Sequence, residues 1–120
     1  MPSSKLDIQE RDAGDVTIMT LTGEVSLDDG DLYFRRAVHA LVGRGRVKIL
    51  VDLAGVSLID SSGVGMIVAK LKTVREKGGD LKLLHLTRRS AHLFGLLKLA
   101  TVFDVHDDEA MAMKSFARQP

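Results

Sequence analysis

The first third of the chain predicts a β-hairpin followed by a helix. Two short strand-like runs, 5–11 and 16–22, are separated by turn-forming residues at 12–15. From Asp28 onward the apolar residues fall at helical spacing, and Gly43 is expected to end this helix in a left-handed conformation. The apolar face of the helix comprises Phe34, Ala37, Val38, Leu41 and Val42.

The middle of the chain predicts a buried strand and an amphipathic helix. Residues 47–52 are β-branched and nearly continuously apolar, which is typical of a central strand covered on both faces. Residues 53–59 are expected to form a loop, and the helix after it is expected to end at Gly78 and Gly79. Its apolar stripe follows the i, i+3, i+4, i+7 pattern and comprises Val64, Ile67, Val68, Leu71 and Val74.

The last third predicts a strand at 81–86, a short helix capped by Thr87, a short strand at 101–105 and a final helix at 110–116. The short helix carries Leu93, Phe94, Leu96 and Leu97. The resulting order, ββαβαβαβα, indicates an α/β fold with a small mixed sheet. The N-terminal hairpin is antiparallel, the remaining strands run parallel through right-handed crossovers, and about four helices complete the fold.

Composition limits the classes of function. A chain of 120 residues with 45% hydrophobic and 28% charged residues fits one domain over 1–120, with an ordered core at about 5–117. The formal net charge is +1, and the aromatic residues are four phenylalanines and one tyrosine, which argues against direct nucleic-acid binding. Cysteine is absent, so neither disulfides nor thiolate chemistry is available.

The chain is expected to act in the cytoplasm. Behind Met1 there is no apolar run that could serve as a secretory signal. The most apolar stretch, 47–59, contains Lys48 and Asp52 and is shorter than the roughly 20 residues that a transmembrane helix needs. No membrane association is therefore predicted.

Residues 60–65 are the segment that carries candidate chemistry, because they stand where a strand gives way to a helix. One interpretation is structural: Asp60 or Ser61 caps the helix and the glycines let the turn close. A catalytic serine is a poor fit, because a nucleophile elbow needs glycine two residues before the serine, where Ser62 has Asp60. A third interpretation is that one serine accepts a phosphoryl group, whose charge a helix N-terminus favours and a docked partner does not.

Helical projection favours Ser62 over Ser61 as that acceptor. Relative to the buried stripe, Ser62 is predicted to point outward, whereas Ser61 lies closer to the core and suits packing or capping. The same outward face carries Gly65, Met66 and Ala69, which would form a shallow docking patch rather than a charged surface.

Residues 47–65 resemble the signature of the STAS domain family, in particular the bacterial anti-sigma factor antagonists. The similarity extends to the opening hairpin, to 21–24 at the end of the second strand, and to 102–105 followed by an acidic helix. In that family the second serine of an Asp-Ser-Ser-Gly motif accepts the phosphate, which implies Ser62 here.

The resemblance also implies partners and a mechanism. In this family the unphosphorylated protein binds an anti-sigma factor, usually a serine kinase of the GHKL ATPase type, and thereby frees the sigma factor. Phosphorylation by that kinase breaks the complex and a PP2C-type phosphatase restores it, so the protein is a switch without catalysis or a cofactor of its own. The expected partner-binding residues are Asp28, Asp60, Ser61, Gly63, Gly65, Met66 and Ala69.

The chain departs from the family at one place. An aspartate usually follows the second strand closely, whereas here Glu24 and Val25 are followed by Ser26, and Asp28 is expected to take the role. An alternative function is a non-switching STAS module of a lipid-transport or stressosome-like complex, in which the serine serves only the turn.

Other candidate sites have structural interpretations. The four histidines, at 39, 85, 92 and 106, show no metal-ligand spacing. The glycines of 43–46 lack the lysine and hydroxyl residue of a phosphate-binding loop, and those at 63 and 65 lack the third glycine of a dinucleotide site. Arg88 and Arg89 are interpreted as a solvated pair.

Overall fold

The computed structural model describes residues 5–26, 29–99 and 101–117 and has the predicted element order. Each strand and helix arises where the sequence changes between strand-like and helical spacing of its apolar residues. The elements are β1 (Leu6–Ala13), β2 (Val16–Val25), α1 (Asp29–Gly43), β3 (Lys48–Ile59), α2 (Ser61–Glu76), β4 (Asp80–Leu84), α3 (Arg88–Leu96), β5 (Val105–His106) and α4 (Glu109–Ala117).

The five strands form one sheet in the order β1-β2-β3-β4-β5. The hairpin β1-β2 is antiparallel and every other neighbouring pair is parallel, which confirms the predicted mixed sheet. Crossovers of one hand between successive strands place α1, α2 and α3 on the same face. The larger core lies under these three helices, through residues such as Phe34, Ile67 and Phe94. Helix α4 covers part of the opposite face with Ala112 and Phe116.

Residues 53–59, which were predicted to be a loop, continue strand β3. They pair with the second half of β2, from Thr22 opposite Gly55 to Val25 opposite Ile59, with two register shifts. Glycine and small polar residues in this stretch suggested a loop, but the hydrogen-bonding partner that β2 provides overrides such local preferences. The prediction of a loop here is therefore wrong. Because β3 continues to Ile59, it ends beside the last residue of β2, Val25.

Three local predictions also need correction. The last strand is only Val105–His106, because the preceding residues form turns. Gly43 is the last residue of α1 and is not left-handed; Gly45, with φ 78°, provides that conformation instead. Leu97, which was predicted to lie in the short helix, is the C-cap of α3 instead, and of the apolar residues within the helix only Phe94 is fully buried.

Candidate functional site

Two helices begin at the same edge of the sheet. Val25 and Ile59, the last residues of β2 and β3, are paired, and α1 and α2 follow these two parallel strands. The N-terminal ends of α1 and α2 therefore lie side by side, which is the arrangement expected at the carboxyl edge of parallel strands. Asp28, which was predicted to contribute to a partner site, lies outside the described residues.

Asp60 is the N-cap of α2, as one of the sequence interpretations predicted. Its backbone is extended, with φ −109° and ψ 179°, and its carboxylate Oδ1 accepts a hydrogen bond of 2.8 Å from the backbone N–H of Gly63. The carbonyl of Asp60 accepts the first helical bond, from the N–H of Val64. Because capping satisfies an otherwise unpaired donor of the first turn, Asp60 fixes where the helix begins.

Gly63 brings the first turn of α2 against the end of β2. A Cβ atom at this position would lie 2.1 Å from the carbonyl oxygen of Val25 and 2.9 Å from its carbonyl carbon. Only glycine allows so close an approach of two backbones. Gly63 is buried, so it does not belong to the surface expected to meet a partner; it positions the residues on either side of it.

The two serines differ from the prediction in their exposure. Ser61 is exposed, whereas Ser62 is half-buried. A helical projection considers only the helix's own axis, but the end of β2 lies against this first turn, as the contact between Val25 and Gly63 shows. Ser61 is the first helical residue and has no preceding turn to cover it, since helical side chains point toward the N-terminus.

Beyond the first turn, the residues of the predicted docking patch lie on the outward side of α2. Gly65 and Ala69 are exposed and Met66 is half-buried, packed against the edge of the larger core. Leu58, near the end of β3, is 39% exposed, but it alternates with the core residue Ile59 and therefore lies on the opposite face of the sheet. We name the exposed and half-buried residues on the outward side of the helix the α2 face: Ser61, Ser62, Gly65, Met66 and Ala69.

Gly65 has no structural reason to be glycine. A Cβ atom there would meet nothing within 4 Å, and its φ is not positive. Glycine inside a helix costs about 1 kcal/mol relative to alanine. A residue that lowers helix stability without any packing benefit on a small, apolar surface is consistent with close approach by another molecule.

Alongside the α2 face, α1 and α2 are joined by a contact between two basic side chains. Nζ of Lys70 lies 2.7 Å from Nε2 of His39, and Lys70 is buried to 7% residual exposure. Burial, together with Lys70 and Arg35, lowers the pKa of His39 below its ordinary value, and burial and Arg35 lower the pKa of Lys70. No sequence pattern indicated this pair, because the two residues are 31 positions apart.

The remaining polar clusters are structural. On the α4 side of the sheet, Lys82 reaches Asp104 at 3.1 Å and donates to Ser115 at 2.8 Å, and its ammonium lies 4.7 Å from the ring centre of Phe116. These contacts tie α4 to the sheet. Among the described residues, no group of three or more metal-ligating side chains could hold an ion. Within the same residues, no helix has the length and apolar character to cross a bilayer.

Comparisons with known proteins agree with this architecture. The chain is 26% identical over 98 residues to the anti-sigma F factor antagonist of Paenibacillus polymyxa. The aligned residues cover 82% of this chain and 84% of that protein. It is 30% identical over 87 residues to the anti-sigma-B factor antagonist of Bacillus subtilis, covering 72% and 78% respectively. A crystal structure of a candidate anti-sigma factor antagonist from Thermotoga maritima matches with a TM-score of 0.86 at 25% identity, over 92% of this chain and 95% of that one.

The family can be assigned from these findings. The model of the STAS domain family matches residues 7–112, which is most of the chain and includes the strand ends, the capped helix and the α2 face. The relatives that share this architecture are named as anti-sigma factor antagonists. This chain therefore belongs to the STAS domain family.

Proposed function

We propose that this protein is a cytoplasmic anti-sigma factor antagonist whose α2 face binds an anti-sigma factor, and that phosphorylation of Ser62 releases it. The observation that carries the proposal is the position of Ser62. It lies in the first turn of α2, within a surface of small and apolar residues and beside the start of α1. The partner would be a GHKL-type serine kinase, and a PP2C-type phosphatase would reverse the modification.

The helix N-terminus makes Ser62 a suitable place for added charge in the free protein. A phosphate adds about −1.5 to −2 charges, which the dipole of α2 stabilises by up to about 1 kcal/mol. Beyond the N-cap Asp60, whose carboxylate accepts from the N–H of Gly63, the first turn of α2 contains no acidic residue. The fold is therefore expected to tolerate the phosphate.

A bound partner would not tolerate it. The α2 face offers glycine, alanine and methionine around the serine, and an apolar contact cannot solvate two negative charges. The carboxylate of Asp60, two residues before Ser62, adds a like charge on the same turn. The modification thus opposes the complex while leaving the free protein folded, which is the behaviour of a switch.

The test has a phosphorylation part and a binding part. Incubation with a GHKL-type kinase and ATP, followed by mass spectrometry, should locate the phosphate on Ser62, and Ser62→Ala should abolish it. Ser61→Ala is the matched control, because Ser61 is the adjacent and more exposed hydroxyl. Phosphate on Ser61 of the protein without substitutions would refute the assignment.

In the binding part, Ser62→Asp should weaken the complex with the anti-sigma factor at least tenfold, whereas Ser61→Asp should weaken it much less. If Ser62→Asp binds the anti-sigma factor as tightly as the protein without substitutions, release by phosphorylation of Ser62 is contradicted.

One observation favours the alternative of a non-switching STAS module. Ser62 is half-buried, as a serine with a mainly structural role would be. If this were its role, Ser62→Ala would remain fully active in the cell and the protein would stay bound to its complex in the presence of ATP. Co-purification with and without ATP separates the two functions.

A further inference from the structure

The contact between Lys70 and His39 has an unusual composition. Nζ of Lys70 lies 2.7 Å from Nε2 of His39. While Lys70 is charged, its ammonium can only donate, so His39 accepts through Nε2, is neutral and carries its proton on the other nitrogen. Lys70 is buried, with only 7% of its surface exposed. A buried ammonium is ordinarily paired with a carboxylate, because a neutral acceptor leaves its charge uncompensated.

Among the side chains that the structure describes, which do not include those of 27–31, no carboxylate pairs with this cluster. Arg35 lies one turn before His39 on α1, and it is the further charged group that acts on both His39 and Lys70. Neither Arg35 nor Lys70 forms an ion pair with an aspartate or glutamate in the described part of the chain. On β1, which also packs against α1, Glu10 pairs with Arg44 at 3.7 Å. Among the described side chains, the charged groups that act on His39 and Lys70 are therefore basic.

This basic cluster continues the α2 face. Lys70 follows Met66 by one turn and Ser62 by two turns, which is a distance of about 12 Å along the helix axis. Ala69, an exposed member of the α2 face, is its neighbour in sequence. A protein that covers the α2 face and extends two turns along α2 from Ser62 would reach Lys70.

We propose that the partner docks an acidic segment on Arg35, His39 and Lys70, and that this docking adds a proton to His39. The inference rests on the proposed function for the identity of the partner, but the chemistry belongs to the cluster itself. A carboxylate supplies the counter-charge that Lys70 lacks. Once His39 is protonated, its Nε2 no longer accepts from Lys70, so both groups turn their N–H donors to the carboxylate.

A peptide titration tests the chemistry without the partner. We would follow the imidazole resonances of His39 by NMR in the full chain, with and without a hexaglutamate peptide, at constant ionic strength. The peptide should raise the pKa of His39 by about one unit, as a nearby opposite charge does. The exposed His92 on α3 is the internal control and should not shift.

Two variants identify the groups responsible. Lys70→Met and Arg35→Gln should each reduce the shift of His39, because each removes one positive charge that attracts the peptide. An unchanged pKa of His39, or an equal shift of His92, would overturn the proposal, since either result means that the cluster does not bind carboxylates selectively.

Measurement of the affinity for the anti-sigma factor at several pH values between 8 and 6 tests whether the partner binds the cluster. The protein without substitutions should bind more tightly as the pH falls. Its affinity should rise by at most tenfold per pH unit, because one proton is taken up. His39→Gln keeps an acceptor for Lys70 but cannot be protonated, so its binding should lose this dependence, whereas His92→Gln should retain it.

The outcomes separate the two proposals. If the unmodified protein binds and His39→Gln shows the same pH dependence, docking on this cluster is wrong and the proposed function stands. If no anti-sigma factor binds at any pH, the proposed function fails, and docking on the cluster fails with it even if the peptide titration shows carboxylate binding.

Discussion

Substitution of Gly63 by alanine tests whether the α2 face is positioned by the close approach of two backbones. The added Cβ would lie 2.1 Å from the carbonyl oxygen of Val25. A normal carbon–oxygen contact is longer by more than 1 Å, and the obstructing atom is backbone rather than the flexible end of a side chain. The start of α2 must therefore move away from β2, or β2 must bend.

The magnitude follows from two opposing contributions. Overpacking of a well-packed region costs about 1–3 kcal/mol, and the rigid obstruction at Val25 places Gly63→Ala near the upper end. Alanine in a helix recovers about 1 kcal/mol relative to glycine. The net expectation is a loss of about 2 kcal/mol in the free energy of unfolding.

Gly65→Ala is the matched variant, two residues along the same helix. A Cβ atom at Gly65 meets nothing within 4 Å, so only the gain in helix propensity remains, about 1 kcal/mol. The two alanine variants should therefore differ by about 3 kcal/mol, although both make the same change in the same helix. Urea unfolding of both proteins measures this difference directly.

The result that would refute the reasoning is equal stability of the two variants. This would mean that α2 does not approach β2 as closely as described, and that Gly63 does not fix the position of the serines. A large loss in Gly65→Ala would refute it in the opposite way, because that surface would then be covered by another part of the chain.

Three other predictions concern the site and its surroundings. Gly65→Ala should weaken binding of the anti-sigma factor about tenfold while raising stability, whereas Gly95→Ala, at an equally open position on α3, should leave binding unchanged in the same titration. Asp60→Ala should lower the free energy of unfolding by about 1 kcal/mol through loss of the N-cap, while Asp60→Asn, which retains an acceptor, should lose much less in urea unfolding. Burial, Lys70 and Arg35 lower the pKa of His39 below 6.5, so the folded state binds fewer protons than the unfolded state. Stability is then greatest above about pH 6.5 and falls as the pH drops through the lowered pKa, and denaturation at several pH values should show this component disappear in His39→Gln.

Several features of the fold could be predicted from the sequence because they depend on neighbouring residues. The apolar stripe of α2 predicted its buried side correctly at Val64, Ile67, Leu71 and Val74. The caps Asp60 and Thr87 could also be recognised, since a cap bonds to a backbone N–H only three residues away. The order of strands and helices followed from the same local periodicities, and it implied the mixed sheet.

Other features were not predictable because they depend on contacts between distant parts of the chain. The second half of β3 is a strand only because β2 lies beside it, and its own glycine and small residues gave no indication of this. The relative exposure of Ser61 and Ser62 depends on the end of β2, which no helical projection includes.

The sequence by itself determined the family, the order of the elements and the serine motif at the start of a capped helix. These features depend on residues that are close together in the chain. Only the tertiary structure decided what surrounds that motif. Packing brought Val25 against Gly63, aligned the starts of α1 and α2, and placed His39 against the buried Lys70. The physical reason is that burial and electrostatic environment belong to the space between elements, which a one-dimensional pattern does not specify.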